Sequence, residues 1–164
     1  MVSTVLVANR GEIACRILRA CSEAGLKSIA IYANNDRESM FVELATISVE
    51  LVGETIGETY LDQQQILAIA AKYGADAIHP GFGFLSERAD FAKAVLDAGI
   101  TWIGPSPIAI EMMGDKMTAR KTMKAAGVPV IPGEEIDFED ETKMIEAIVQ
   151  ASTRVGYPLL LKAS

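Results

Sequence analysis

The sequence is poor in the residues from which self-contained active centres are often built. It carries two cysteines and one histidine, His79, in 164 residues. There is no CxxC pair and no metal-ligand spacing, so neither a structural zinc site nor a dithiol redox centre can be read from it. Cys15 and Cys21 lie six positions apart on one predicted helix, pointing to separated faces. They read as free thiols filling helix–sheet contacts. No apolar run approaches the ~20 residues that a membrane-spanning helix needs, and residues Met1 to Arg10 lead into a strand without a signal-peptide pattern. The expectation is a cytoplasmic protein, or one of the mitochondrial matrix if a targeting segment has been removed. Basic residues are the minority, 15 against 22 acids, for a net charge of −7. That argues against nucleic acid or an anionic membrane as partner and leaves room for a small basic pocket. Seven of the acids fall between Glu134 and Glu146 against a single Lys143. This run reads as a solvated loop leading onto a helix, not as a metal site.

What is present suits an α/β protein. Half the residues are hydrophobic and 23% are charged, enough for a sizeable core, and the length allows one domain plus part of another. Thr4 to Ala8 is a short apolar run ended by Asn9-Arg10-Gly11. From Glu12 the period changes: Ile13, Ile17, Leu18 and Cys21 keep one helical face apolar, while Arg16, Arg19 and Glu23 form a polar stripe. Gly25 stands where a left-handed cap belongs. Ser28 to Tyr32 completes a βαβ unit. The pattern recurs with a strand at Ile47–Val52, a helix at Asp62–Tyr73 closed by Gly74, and a strand at Asp76–Ile78 stopped by Pro80-Gly81. Ser86 is the expected N-cap of a helix carrying Phe91, Val95 and Leu96, followed by a fifth strand at Ile100–Ile103. Pro107 to Ala126 reads as helical with a break at Gly114. Beyond it a second unit starts with a strand at Val128–Val130, an acidic loop, a helix from about Asp140 to Val155 and a last strand ending in Lys162. That strand lacks neighbours within the sequence, which suggests a chain cut inside its second domain. Short apolar strands alternating with helices imply a doubly wound, Rossmann-like parallel sheet over roughly residues 1–104. Ligands of such sheets lie beyond the carboxyl ends of the strands.

Several residues near those ends could carry chemistry. The first βα turn has one glycine where a dinucleotide fingerprint needs three, and Glu12 would face a pyrophosphate, so a dehydrogenase is disfavoured. Arg10 could bind an anion or tie loops together. His79-Pro80-Gly81-Phe82-Gly83-Phe84 is a turn whose glycines allow close approach of a ligand. No serine or cysteine nucleophile keeps company with His79, so a structural histidine is the simpler reading. Lys116 opens a helix, where a cation opposes the dipole by ~0.3–1 kcal/mol with some relief from Asp115, a weak functional hint beside the default reading of an exposed lysine. Lys162 follows Leu159-Leu160-Leu161, and an ammonium on so apolar a strand calls for an anion.

Four stretches, VLVANRGEIACRILRAC (5–21), TYLDQQQILAIAAKYGADAIHPGFGFLSERADFA (59–92), IGPSPIAIEMMGDKMTARKTMKAAGVPVIPG (103–133) and GYPLLLKAS (156–164), together resemble the N-terminal part of biotin carboxylase, the ATP-grasp component of biotin-dependent acyl-CoA and pyruvate carboxylases. The resemblance implies a pre-ATP-grasp domain over residues 1–110, a helical connector over 111–127 and the truncated start of an ATP-grasp domain over 128–164. It implies that Lys116 and Lys162 are ATP-binding, that Gly81, Phe82 and Gly83 lie toward biotin, and that the helix bearing Arg16, Arg19 and Glu23 takes part in a homodimer contact. ATP, magnesium held by downstream ligands, and biotin on a carrier are the implied cofactors and substrate. A biotin carboxyl carrier domain and a carboxyltransferase are the implied partners. No catalytic residue and no metal ligand is expected within these residues, and the chain alone is expected to be inactive. Two departures stand out: Phe82 replaces the usual tyrosine, and MFVELATIS (40–48) replaces a more polar stretch ending in an acidic pair. Rival readings are another ATP-grasp ligase making amide or carbamoyl bonds, and a noncatalytic dimerisation module.

Overall fold

The computed structural model describes residues 2–114, 116–133, 136 and 141–161, with backbone alone for Lys116, Met117, Glu141 and Thr142. Five parallel strands form one sheet: β1 (Thr4–Val7), β2 (Lys27–Tyr32), β3 (Ile47–Glu50), β4 (Ala77–His79) and β5 (Thr101–Trp102). Their order across the sheet is β3-β2-β1-β4-β5, all pairings parallel. The expected doubly wound α/β fold is therefore observed.

Alternation along each strand divides the core in two. Leu6, Ile29, Ile31 and Ile78 face α3 (Gln63–Tyr73) and α4 (Ala89–Asp97), with Ile110 of α5 (Pro107–Gly114) buried in the same cluster. Val5, Val7, Ala30 and Ala77 face α1 (Gly11–Glu23) and α2 (Met40–Leu44). On α1, Ala14, Ile17, Leu18 and Cys21 are buried. Full burial of a side chain such as Leu18 stabilises by about 1.5–3 kcal/mol, so this stripe holds the helix down. Arg16, Arg19 and Glu23 lie on its exposed side. Gly25 and Gly74 end their helices at φ 70° and 67°, a region glycine enters without cost. Asp76, which precedes β4, accepts from the Ser3 amide (2.8 Å), the Ser3 hydroxyl (2.6 Å) and the Thr4 amide (2.9 Å), fixing the start of β1.

Two expectations need correction, on Ser86 and on the late strands, and two features, at Leu96 and α2, go beyond the sequence reading. Ser86 does not cap α4. It lies in a 3-10 turn, Phe84–Glu87, with its amide bonded to Gly83 O at 3.0 Å, and α4 begins only after the extended Arg88. Leu96 is 48% exposed, because Phe91, Ala92 and Val95 already fill the face of α4 against the sheet. The five-residue helix α2 was not expected from the sequence. Neither Val128–Val130 nor the described part of the last segment, through Leu161, is a strand. A strand needs a hydrogen-bonding neighbour, and the described strand pairings all lie between β1 and β5 of the first unit.

Residues divide into two compact units, Met1–Glu111 and Met112–Ser164. In the second, α6 (Lys116–Ala125) and α7 (Glu141–Val155) are the described helices beyond the boundary. Arg120 donates to Ile131 O at 2.7 Å, and Ala151 and Ser152 are buried on α7. No described helix is long and apolar enough to cross a membrane.

Candidate functional site

From β1 the chain moves to β2 on one side, then returns to place β4 on the other. The carboxyl ends of β1 and β4 thus flank the topological switch point, where a doubly wound sheet leaves a crevice. A cleft of about 450 Å³ opens there, lined by residues 9–13 and 82–84.

Asn9 builds one wall. It is 2% exposed, yet every polar atom of its side chain is used. Nδ2 donates to Pro80 O (2.7 Å) and Phe82 O (2.9 Å), while Oδ1 accepts from the Arg10 amide (2.9 Å). The end of β1 is thereby tied to the loop after β4. Gly81 sits directly on Asn9, with φ 68°. Gly83 (φ 65°) and Phe84 (φ 47°) follow in the left-handed region, which is costly for a phenylalanine. His79 is half-buried, and its Nδ1 accepts from the Gly81 amide at 3.0 Å. Burial pushes its pKa below the ordinary value, so the neutral ring is favoured. The geometry gives His79 a part in shaping the turn.

Behind the cleft, Arg10, Asp36 and Tyr60 form a polar cluster. Arg10 Nε donates to Asp36 Oδ2 at 2.7 Å, and a second guanidinium nitrogen pairs with Oδ1. Tyr60 Oη donates to Asp36 Oδ2 at 2.6 Å and accepts from the Ala33 amide at 3.0 Å. Burial alone would raise the Asp36 carboxyl, but hydrogen bonds from Arg10 and Tyr60 outweigh it and hold the carboxyl below its usual range. The hydrogen bond to Asp36 raises Arg10, and burial followed by the same carboxylate raises the Tyr60 phenol. Near neutrality all three keep fixed charge states. Arg10 therefore ties loops together, the second of the two roles open to it. The Tyr60 ring stacks on Phe84, centroids 5.4 Å apart.

Phe82, 61% exposed, and Gly83 line this cleft, while Gly81 next to them packs against Asn9. Arg16, Arg19 and Glu23 stand apart on α1, where Arg19 reaches Met40 Sδ at 3.4 Å. Lys116 opens α6 in the second unit, and Lys162 lies outside the described residues, as do Asp115 and most of the acidic run after Ile131. Asp36 and Tyr60 were missed by sequence reasoning, and Asn9 entered it only as part of the turn that ends β1. Asn9 carries a signal in hindsight, a polar side chain ending an apolar strand. Asp36 and Tyr60, 24 residues apart, carry none.

Comparison with known proteins agrees with this architecture. Residues 1–110 match the family model for the biotin carboxylase N-terminal domain, and residues 115–164 match that for the carbamoyl-phosphate synthase L chain ATP binding domain. A biotin-dependent acyl-coenzyme A carboxylase alpha3 subunit of Mycobacterium leprae is 49% identical over 99% of this chain and 27% of its own length. A biotin carboxylase of Halalkalibacterium halodurans is 47% identical over 100% of this chain and 35% of its own. The biotin carboxylase domain dimer of Hydrogenobacter thermophilus 2-oxoglutarate carboxylase, solved with MgADP, ADP and bicarbonate, superimposes with a TM-score of 0.83 at 42% identity. That match covers 96% of this chain and 34% of the solved one. The chain thus spans about a third of the length of the curated relatives it matches.

Proposed function

Since this chain belongs to the family of biotin carboxylase N-terminal domains, we propose that it forms the front part of an enzyme that uses ATP and bicarbonate to carboxylate biotin on a carrier protein. In this reading residues 1–110 are the sheet domain, 111–127 a helical connector and 128–164 the start of an ATP-grasp domain. The observation that carries it is the cleft at the β1–β4 switch point, walled on one side by Phe82, Gly83 and Phe84. Gly81, Phe82 and Gly83 form the biotin side of that cleft. Lys116 and Lys162 meet the triphosphate, where ammonium groups stabilise charge developing on phosphoryl oxygens. ATP with magnesium supplies the activation of bicarbonate. The solved relative that holds MgADP and bicarbonate supports this choice of ligands. A carrier domain, a carboxyltransferase and a second copy of the chain are its partners, in the cytoplasm.

The test is a chimera in which this chain replaces the matching 35% of the Halalkalibacterium biotin carboxylase. It should cleave ATP in a biotin- and bicarbonate-dependent manner, and Lys116→Ala or Lys162→Ala should impair that strongly. A folded but inert chimera would overturn the reading; full activity without either lysine would remove the lysine assignment alone. By itself the chain should turn nothing over and bind nucleotide weakly, because two lysines offset little of the ordering cost of a triphosphate.

A further inference from the structure

We propose that Asn9 and Tyr60 are positioning residues that hold the 81–84 loop in its ligand-accepting shape, and so set the affinity of the cleft for the ring of biotin. The proposal rests on the biotin-side reading of that loop given above.

The contacts form a closed circuit around the cleft. Asn9 anchors the front of the loop through its two Nδ2 hydrogens, on Pro80 O and Phe82 O. Tyr60 anchors the back through its ring, stacked on Phe84 at 23° between planes. Tyr60 is itself fixed by Asp36 and the Ala33 amide, and Asp36 leads back through Arg10 to the residue beside Asn9. Both anchors are almost fully buried, at 2% and 3% exposure, so neither is placed to touch a bound ring broadly. Their role is indirect.

The loop needs such anchors. Gly81, Gly83 and Phe84 all lie at positive φ within four residues, and Phe84 pays for that conformation sterically. A backbone of this kind persists only where its surroundings over-determine it. Releasing either anchor lets Phe84 relax and the wall formed by residues 82–84 spread. Neither anchor is suggested by its residue type: Asn9 is an amide at a strand end, and Tyr60 lies in a turn that is remote in sequence.

Amide hydrogen exchange and titration with biotin alone, both followed by NMR on the full chain, test the proposal. The Gly81 and Ser86 amides, bonded to His79 Nδ1 and Gly83 O, report on the loop; the Ile103 amide, bonded to Ile78 O, reports on the sheet. Asn9→Ala should speed exchange at Gly81 and Ser86 by about tenfold or more while leaving Ile103 unchanged. Tyr60→Phe, which keeps the stacked ring and loses only the hydroxyl, should show a smaller change in the same amides and will fold if Asn9→Ala does not. Biotin should bind more weakly to each variant in the same order. Unchanged loop exchange in both variants overturns the proposal, and so does a loosened loop with unaltered biotin affinity. Absence of any biotin response in the unsubstituted chain would overturn the biotin-side reading itself, a result kept distinct because the exchange measurement uses no ligand.

Discussion

A methyl group on Gly81 would lie 2.7 Å from Asn9 Nδ2 and 2.9 Å from its Cγ, closer than real Cβ contacts allow. At Gly83, with nearly the same φ, a methyl group would meet nothing within 4 Å. The two glycines thus separate backbone strain from steric contact. Gly83→Ala should cost about 1–3 kcal/mol from its backbone alone, since φ 65° with ψ −166° is a region essentially reserved for glycine. Gly81→Ala should cost more, about 2–4 kcal/mol, since Asn9 is buried and cannot withdraw without abandoning its bonds. Urea unfolding of the two variants checks the order; equal losses would mean that Asn9 is free to move.

Asp36 gives the chain an acid-sensitive contact. Its carboxyl titrates below the ordinary value in the folded state, so the unfolded chain takes up the proton first as pH falls. Its stabilising contribution is complete above the unfolded value of about 3.9 and disappears as pH drops through the lower folded one. Asp36→Asn should therefore destabilise the protein at pH 7 by about 1–3 kcal/mol, and by much less near pH 2. Denaturant titrations at the two pH values measure this directly.

His79 should behave as a second, separate pH probe. Burial lowers its pKa from the ordinary 6.5, so the folded state resists the proton that the unfolded state accepts. Stability linked to His79 is present above about 6.5 and falls as pH drops through the depressed value. As the chain's lone histidine it can be titrated by proton NMR without ambiguity. A midpoint at or above 6.5 contradicts the expectation. His79→Gln should flatten the stability profile in that pH window.

Arg19 tests the proposed dimer face. With Arg16 and Glu23 it forms an exposed stripe on α1, and it also lies against the exposed Met40 of α2. Single surface ion pairs contribute little, about 0–1 kcal/mol, so removing the charge is a weak test and reversing it a stronger one. Arg19→Glu should shift any dimer toward monomer in analytical ultracentrifugation. An unaltered distribution would move the contact elsewhere.

The sheet was legible because its signals are local. Val5, Leu6 and Val7 form an apolar run, α1 repeats its apolar face every three to four residues, and Gly25 and Gly74 mark helix ends by their own conformational freedom. Helix α2 was not legible: five residues, Met40–Leu44, are too few to display a period. Ser86 misled because a serine before an apolar helix is a common cap, whereas the left-handed Gly83 and Phe84 had already committed the backbone to a tighter turn. The expected strands at Val128 and Leu159 had the right composition but find no strand partner among the described residues. For the site, glycines and aromatics marked the 81–84 loop, but what holds it comes from side chains that meet only after folding. Asp36 and Tyr60 belong to connecting segments of no regular pattern, so their hydrogen bond left no trace in spacing.

Strand β1, only a few residues from the amino end, is the middle strand of the sheet. Its pairing with β2 joins residues about twenty apart, as Val5 with Ser28, while its pairing with β4 joins residues about seventy apart, as Leu6 with Ile78. Loop-closure entropy makes the second pairing dearer by about 1 kcal/mol. On a growing chain β1 can acquire its first neighbour early, but the second exists only after β4 has been made. The cleft lies at the carboxyl ends of those two strands and is lined by residues 9–13 and 82–84, so no piece of the polypeptide that stops before residue 84 can possess it. Occupancy of the cleft is then a readout of β1–β4 pairing, and a ligand bound there would stabilise that pairing in preference to the earlier βαβ unit.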